Sequence, residues 1–132
     1  MENYSYTSHS KYQLLYHIIV VCKYRKRILQ EFEQELVIIL RDIESDSDFT
    51  IKNWWVDKDH LHLLIKSKPT ISVLQIVRRI KQLTTKRLWD KAENSLKSRY
   101  WGGRVFWSSG YFVTTIGNAS TFTIERYIEE QG

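Results

Sequence analysis

The chain predicts an α+β domain built on an antiparallel sheet, and three observations carry that expectation. A continuous apolar run, Tyr16 to Val21, has the composition of a central strand covered on both sides. Two segments, Leu29 to Ile43 and Val73 to about Trp89, repeat apolar residues at helical spacing. Around them lie aromatic and β-branched stretches bounded by charged or glycine-containing turns. The resulting order, β, α, β, β, α, β, α, is a split β-α-β pattern with an extra helix.

Each element has a local reason. Leu29, Phe32, Leu36, Leu40 and Ile43 form one stripe, with acids over the rest of that helix. Phe49 to Val56 reads as a second strand, turning through Asp57-Lys58-Asp59 into a third strand as an antiparallel hairpin. Pro69 stops the third strand. Ser72 followed by Gln75 has the spacing of a capping box for the second helix, whose buried stripe is Val73, Ile76, Val77, Ile80 and Leu83. After an ambiguous stretch from Lys91 to Gly103, Val105 to Thr115 reads as a hairpin or a bulged long strand. Gly117-Asn118 breaks the chain, and Ser120 can cap a last helix over about 119–131.

Composition narrows the function classes. With 132 residues, 42% of them hydrophobic, the chain is expected to be a single domain spanning 1–132. Its apolar runs fall short of a membrane span and no signal peptide is legible, so a cytoplasmic protein without membrane contact is expected. A lone cysteine, Cys22, excludes an intrachain disulfide and reads as an apolar filler. The net charge of +5 is segregated. Seven acids lie between Glu31 and Asp48, whereas Lys23, Arg25, Lys26 and Arg27 form one basic block, and Arg78, Arg79, Lys81, Lys86 and Arg87 form another. Segregated positive charge fits a polyanion partner or simply two solvated faces.

The most informative local feature is Asp59-His60-Leu61-His62-Leu63-Leu64. Strand geometry alternates side chains between faces, so His60 and His62 share one side while Leu61 and Leu63 are free to enter a core. Two imidazoles on one rigid wall make half a metal site, although such a pair by itself does not separate a ligand set from two surface histidines. On the last helix, Tyr127 and Gln131 are four residues apart and project from one face. Five tryptophans and eight tyrosines among basic segments could stack bases, although Trp54, Trp55 and Trp107 read first as packing or dimer residues.

Taken together, Tyr16-His17 with its strand, Lys23-Tyr24-Arg25, the histidine pair, the basic helix, Trp107 with Gly110-Tyr111-Phe112, Gly117, and Tyr127 with Gln131 resemble the single-tyrosine HUH transposases of the smallest bacterial and archaeal insertion sequences, the IS200-like family. The resemblance covers nearly the whole chain. It implies a ferredoxin-like or RNA-recognition-like antiparallel sheet, the HUH endonuclease fold, with sheets joined across a homodimer. It implies that His60, His62 and Gln131 bind one Mg²⁺ or Mn²⁺ and that Tyr127 attacks a single-stranded DNA phosphorus, forming a 5′-phosphotyrosine. It further implies a DNA partner with end hairpins, and a hinge at Gly117 that lets the tyrosine helix serve the other subunit. No nucleotide cofactor is expected, since no phosphate-cradling glycine motif is present. DNA contacts are expected from Lys23, Arg25, Lys26, Arg78, Arg79, Lys81, Lys86 and Arg87. A non-catalytic or domesticated single-strand-binding relative is the main rival, and it has no need of the two histidines, Tyr127 or Gln131. A two-histidine phosphodiesterase needs a second motif that His9-Ser10-Lys11 and His17-Ile18-Ile19 do not supply, and a purely structural dimerisation protein leaves the histidines unexplained.

Overall fold

The computed structural model describes residues 5–6, 11–12, 14–115 and 121–131. Two short strands, β1 (Ser5–Tyr6) and β2 (Lys11–Tyr12), pair with each other. The main sheet comprises β3 (Leu14–Val21), β4 (Thr50–Val56), β5 (His60–Ser67) and β6 (Phe112–Thr115) in the order β4-β5-β3-β6, with every pairing antiparallel. Taking these four strands in chain order, the arrangement is second, third, first, fourth, the ferredoxin-like order expected for a split β-α-β chain.

Helix α1 (Glu33–Ser45) follows a 3-10 turn at Leu29–Phe32, so the first helix begins with a tighter turn than its apolar stripe alone suggests. Helix α2 (Val73–Lys97) runs two turns past Trp89, and its backbone departs from helical angles at Ala92. The capping box at its start is formed: Gln75 N donates to Ser72 Oγ at 3.1 Å, and Ser72 N donates to Gln75 Oε1 at 2.9 Å. Helix α3 (Thr121–Glu130) closes the chain.

Alternation decides which face is core. Ile18, Val20, Leu61, Leu63 and Ile65 are fully or almost fully buried and join Leu36, Leu40 and Ile43 of α1 with Ile76, Val77 and Ile80 of α2. The helices therefore cover one face and leave the histidine face to other elements. Ile19 and Val21, on that second face, are nonetheless wholly buried and lie outside the main cluster.

The region expected as a hairpin from Val105 to Thr115 is mostly an irregular segment tied to the sheet by single bonds. Trp107 bridges Cys22, Ser108 N donates to Val21 O at 2.7 Å, and regular pairing begins only at Phe112. Trp107 is a packing residue: its ring is buried, and Nε1 donates to Thr84 Oγ1 at 2.8 Å. Thr84, itself buried, donates to Ile80 O, so the polar pair carries no unmet hydrogen bond. Cys22 is buried, as its filler role requires, and desolvation raises its thiol pKa.

Candidate functional site

Register assembles the site. Val21 opposes His60 and Ile19 opposes His62, so these four residues point to the same side of the sheet. Ile19 also opposes Phe112, which brings β6 into the same row. On the other side of β5, Trp55 opposes His62, after a register irregularity between Ile51 and Asn53. The row across the sheet is therefore Trp55, His62, Ile19, Phe112.

The imidazoles lie with ring centroids 4.7 Å apart, the convergence that alternation predicts. His60 Nδ1 is 2.8 Å from Oδ1 of the nearly buried Asp59, whose other oxygen is 3.4 Å from Arg25 Nε. A carboxylate can only accept here, so His60 donates from Nδ1, which turns Nε2 toward the site. That Nε2 is 3.5 Å from Asp57 Oδ2. His62 Nδ1 is 3.0 Å from His17 Nε2, and the two rings stack with centroids 5.2 Å apart. If His62 donates from Nδ1, its Nε2 is a free donor of electrons. Burial, then the neighbouring His60 and His17, push the His62 pKa down to about 4, and burial also lowers that of His17. Neutral rings are the ligating form. Beside them is a cleft of about 580 Å³ lined by His17, Gln30, Trp55, Val56, Asp57 and His62.

The donor chemistry fits a divalent ion, with two imidazoles and a carboxylate oxygen facing one of them. Among the described residues, no three His, Cys, Asp or Glu side chains converge closely enough to hold one by themselves. An ion here therefore depends on a further donor such as an amide or a substrate oxygen.

Tyr127 and Gln131 meet over Gly110. A Cβ added at Gly110 would lie 3.3 Å from the Tyr127 hydroxyl and 3.6 Å from Gln131 Oε1, so glycine leaves the space both occupy. The Tyr127 ring packs on Phe112 with centroids 5.5 Å apart, which brings α3 to the row that holds His62. Ser108 Oγ donates to Gln131 O at 3.4 Å. Among the described residues the buried Tyr127 hydroxyl has no hydrogen-bond partner, and desolvation pushes its pKa up to about 12. The structure thus joins His60 with His62 and Tyr127 with Gln131, the two pairs separated by the width of β3. Gly117, expected as a hinge, lies outside the described residues, as do Asn118 and Ser120.

The basic residues divide. Lys81 Nζ turns inward and donates to Ser108 O at 2.6 Å and Gly110 O at 2.7 Å, clamping the loop beneath Tyr127. Arg79 bonds Ser47 Oγ and Asp46 O, Arg87 pairs with Asp42, and Lys86 pairs with Asp90. Lys23 and Lys26 lie over aromatic rings, while Arg25 backs Asp59. Asp59, His17 and Trp55 were not singled out as site residues. Asp59 adjoins a strand histidine, and His17 enters the sequence reading in the Tyr16-His17 pair, without a site role.

A ferredoxin-like sheet with paired histidines on its open face and a terminal tyrosine helix at the edge strand defines a class, that of the small tyrosine transposases. The chain belongs to the IS200-like transposase family, whose model matches residues 10–131. It is 34% identical over 121 residues to the ISDra2 transposase TnpA of Deinococcus radiodurans, covering 91% of this chain and 85% of that protein. It is 30% identical over 125 residues to the transposase for insertion sequence element IS200 of Salmonella typhimurium, covering 94% and 80%. A transposase crystal structure from Deinococcus radiodurans R1 superposes with a TM-score of 0.86 at 29% identity, covering 96% of this chain and 97% of that one. A tyrosine transposase bound to a REP hairpin shares the fold, with a TM-score of 0.57 at 16% identity over 94% of this chain and 69% of that one. No helix among the described residues is long and apolar enough to cross a membrane.

Proposed function

We propose that this protein cleaves and rejoins single-stranded DNA at the ends of an insertion sequence, with Tyr127 as nucleophile and His60, His62 and Gln131 holding one Mg²⁺ or Mn²⁺. The carrying observation is that the Tyr127 hydroxyl and the Gln131 amide oxygen converge over Gly110, while the Tyr127 ring packs on Phe112 in the row of the sheet that also bears His62. When bound, the ion would supply Lewis-acid polarisation of the scissile phosphate.

The chain's own residues account for the remaining steps. Asp59 orients the His60 ring through Nδ1, and His17 orients the His62 ring through Nδ1. The Tyr127 oxygen attacks phosphorus, its proton leaves to solvent or substrate, and the 3′ oxygen departs as a hydroxyl. The 5′-phosphotyrosine conserves a phosphoester bond, so the freed 3′-hydroxyl of a strand can attack it and restore Tyr127 without a nucleoside triphosphate. A phenol this protected is a poor nucleophile at neutral pH, so alignment must supply much of the rate.

Tyr127 leaves its seat against Gly110 to reach the ion, and we assign that movement to the connection containing Gly117, with α3 serving the partner subunit of a homodimer. The tyrosine transposase of similar fold bound to a REP hairpin supports a DNA hairpin as the recognised end. A cytoplasmic setting, where such DNA is met, completes the reading.

The test is incubation with labelled single-stranded DNA from the element's own ends, in Mn²⁺ or in EDTA. A metal-dependent covalent adduct, absent in Tyr127→Phe, is expected; no adduct on cognate ends would favour a binding module. His60→Ala or His62→Ala should abolish cleavage while sparing DNA affinity in EDTA. Mixing a histidine variant with Tyr127→Phe should restore activity, and failure to complement would place the helix in its own subunit.

A further inference from the structure

We propose that the exposed rings of Tyr24 and Trp101 form a stacking platform for unpaired bases of single-stranded DNA, an inference that rests on the DNA-processing reading above. Two segments far apart in sequence build this corner: Lys23-Tyr24-Arg25-Lys26-Arg27 and Arg99-Tyr100-Trp101. They are tied together beneath the surface. Lys23 N donates to Phe106 O at 2.8 Å, and the Tyr100 hydroxyl lies within hydrogen-bond distance of Lys23 O and Phe106 O.

Above that base, Trp101 is 77% exposed and Tyr24 is 56% exposed. A single exposed aromatic needs no explanation, but here the rings and ammonium groups are interleaved. Lys23 Nζ is 5.4 Å from the Tyr24 centroid, and Lys26 Nζ is 5.8 Å from that of Trp101 and 5.9 Å from that of Tyr100. The backbone is strained to present them: Tyr24 has φ 60° and Arg25 has φ 51°, left-handed values unfavourable to residues other than glycine.

Charge identifies the occupant. Arg99 and Arg104 nearby are neutralised by Glu31 and Asp90. Among the described residues, Lys23, Lys26 and Arg27 have no carboxylate partner. Cations without a carboxylate partner beside exposed rings suit a chain that alternates phosphate and base. A duplex does not suit, because its bases are already stacked on each other. An adjoining cleft of about 570 Å³, lined by Tyr24, Arg25, Arg27, Asp57, Lys58 and Asp59, leads from the platform to the carboxylates that contact His60. Its three cations outnumber its two acids.

The experiment compares binding of a thymidine dodecamer with that of an abasic oligomer of equal charge, by fluorescence anisotropy in EDTA at low salt. Trp101→Ala and Tyr24→Ala are each expected to weaken thymidine binding roughly fivefold or more while leaving abasic binding nearly unchanged, with Trp101→Phe retaining affinity. Equal losses on both oligomers, or none, overturn the platform. So does a Trp101→Ala change in oligomeric state, read by light scattering, with both affinities intact, because the corner would then cover protein. The catalytic reading is tested separately: if wild-type protein shows the base-dependent loss pattern but forms no adduct on cognate ends, the platform stands and the chemistry falls.

Discussion

Lys81→Met separates two roles for the basic helix. The Lys81 ammonium donates to two carbonyl oxygens, Ser108 O and Gly110 O, at 2.6 and 2.7 Å. A hydrogen bond from a charged group contributes about 1.5–3 kcal/mol, while removal from water offsets part of that. Desolvation does act on this group, since burial lowers the Lys81 pKa. A net loss of about 2 kcal/mol follows for methionine, which keeps the packing of the aliphatic stem. With an unfolding entropy of about 2.1 cal/mol/K per residue, roughly 0.28 kcal/mol/K for this chain, Tm should fall by about 7 °C. Calorimetry measures the fall, which reports the clamp on the loop against which Tyr127 and Gln131 rest. An unchanged Tm together with a shallower salt dependence of DNA binding would refute the clamp and return the ammonium to the phosphates.

Three further outcomes can be checked. Tyr127→Phe should abolish the adduct yet leave Tm unchanged or slightly higher, because the buried hydroxyl has no partner among the described residues; a clear drop in Tm by calorimetry would mean that the hydroxyl is satisfied. The His62 pKa is depressed to about 4, so as pH falls from about 6.5 the unfolded chain takes up a proton that the folded chain refuses. Stability should therefore decline between about pH 6.5 and 4, with a shallower decline in His62→Gln by urea denaturation; identical slopes would exclude this origin. His17→Leu should weaken Mn²⁺ binding by roughly tenfold or more, read by electron paramagnetic resonance, and His17→Gln should recover it by offering an acceptor near the original Nε2. Equal affinities in both variants would reduce His17 to packing.

What was legible in the sequence was what short-range periodicity encodes. The helical stripe through Leu36, Leu40 and Ile43, the Ser72–Gln75 capping box, and the alternation that sets His60 and His62 opposite Leu61 and Leu63 all depend on neighbours within a few residues. The shared helical face of Tyr127 and Gln131 is of the same kind. Contacts fixed by strand register and distant packing were not legible. Trp55 reaches the row of His62 only through the irregularity between Ile51 and Asn53, and His17 meets His62 from another strand. Lys81 reads as one more cation on a basic helix until the loop at Ser108 folds over it. The segment from Val105 to Tyr111 carries strand-forming residues but pairs only at Trp107, because Trp107 and Phe106 turn into the core.

The site's two halves differ in how ready they are. The histidine half is prepared in place: burial keeps His62 neutral, Asp59 orients the ring of His60, and Arg25 backs Asp59. The tyrosine half is withheld, with its hydroxyl desolvated, without a partner among the described residues and against Gly110. A phenol held this way is difficult to ionise where it sits, so the attack proposed for Tyr127 requires that it move first. Hydration or a phosphate partner at the new position would then lower its pKa toward the ordinary value near 10. The unmet hydrogen bond makes leaving easier, since the Tyr127 hydroxyl gives up no partner among the described residues.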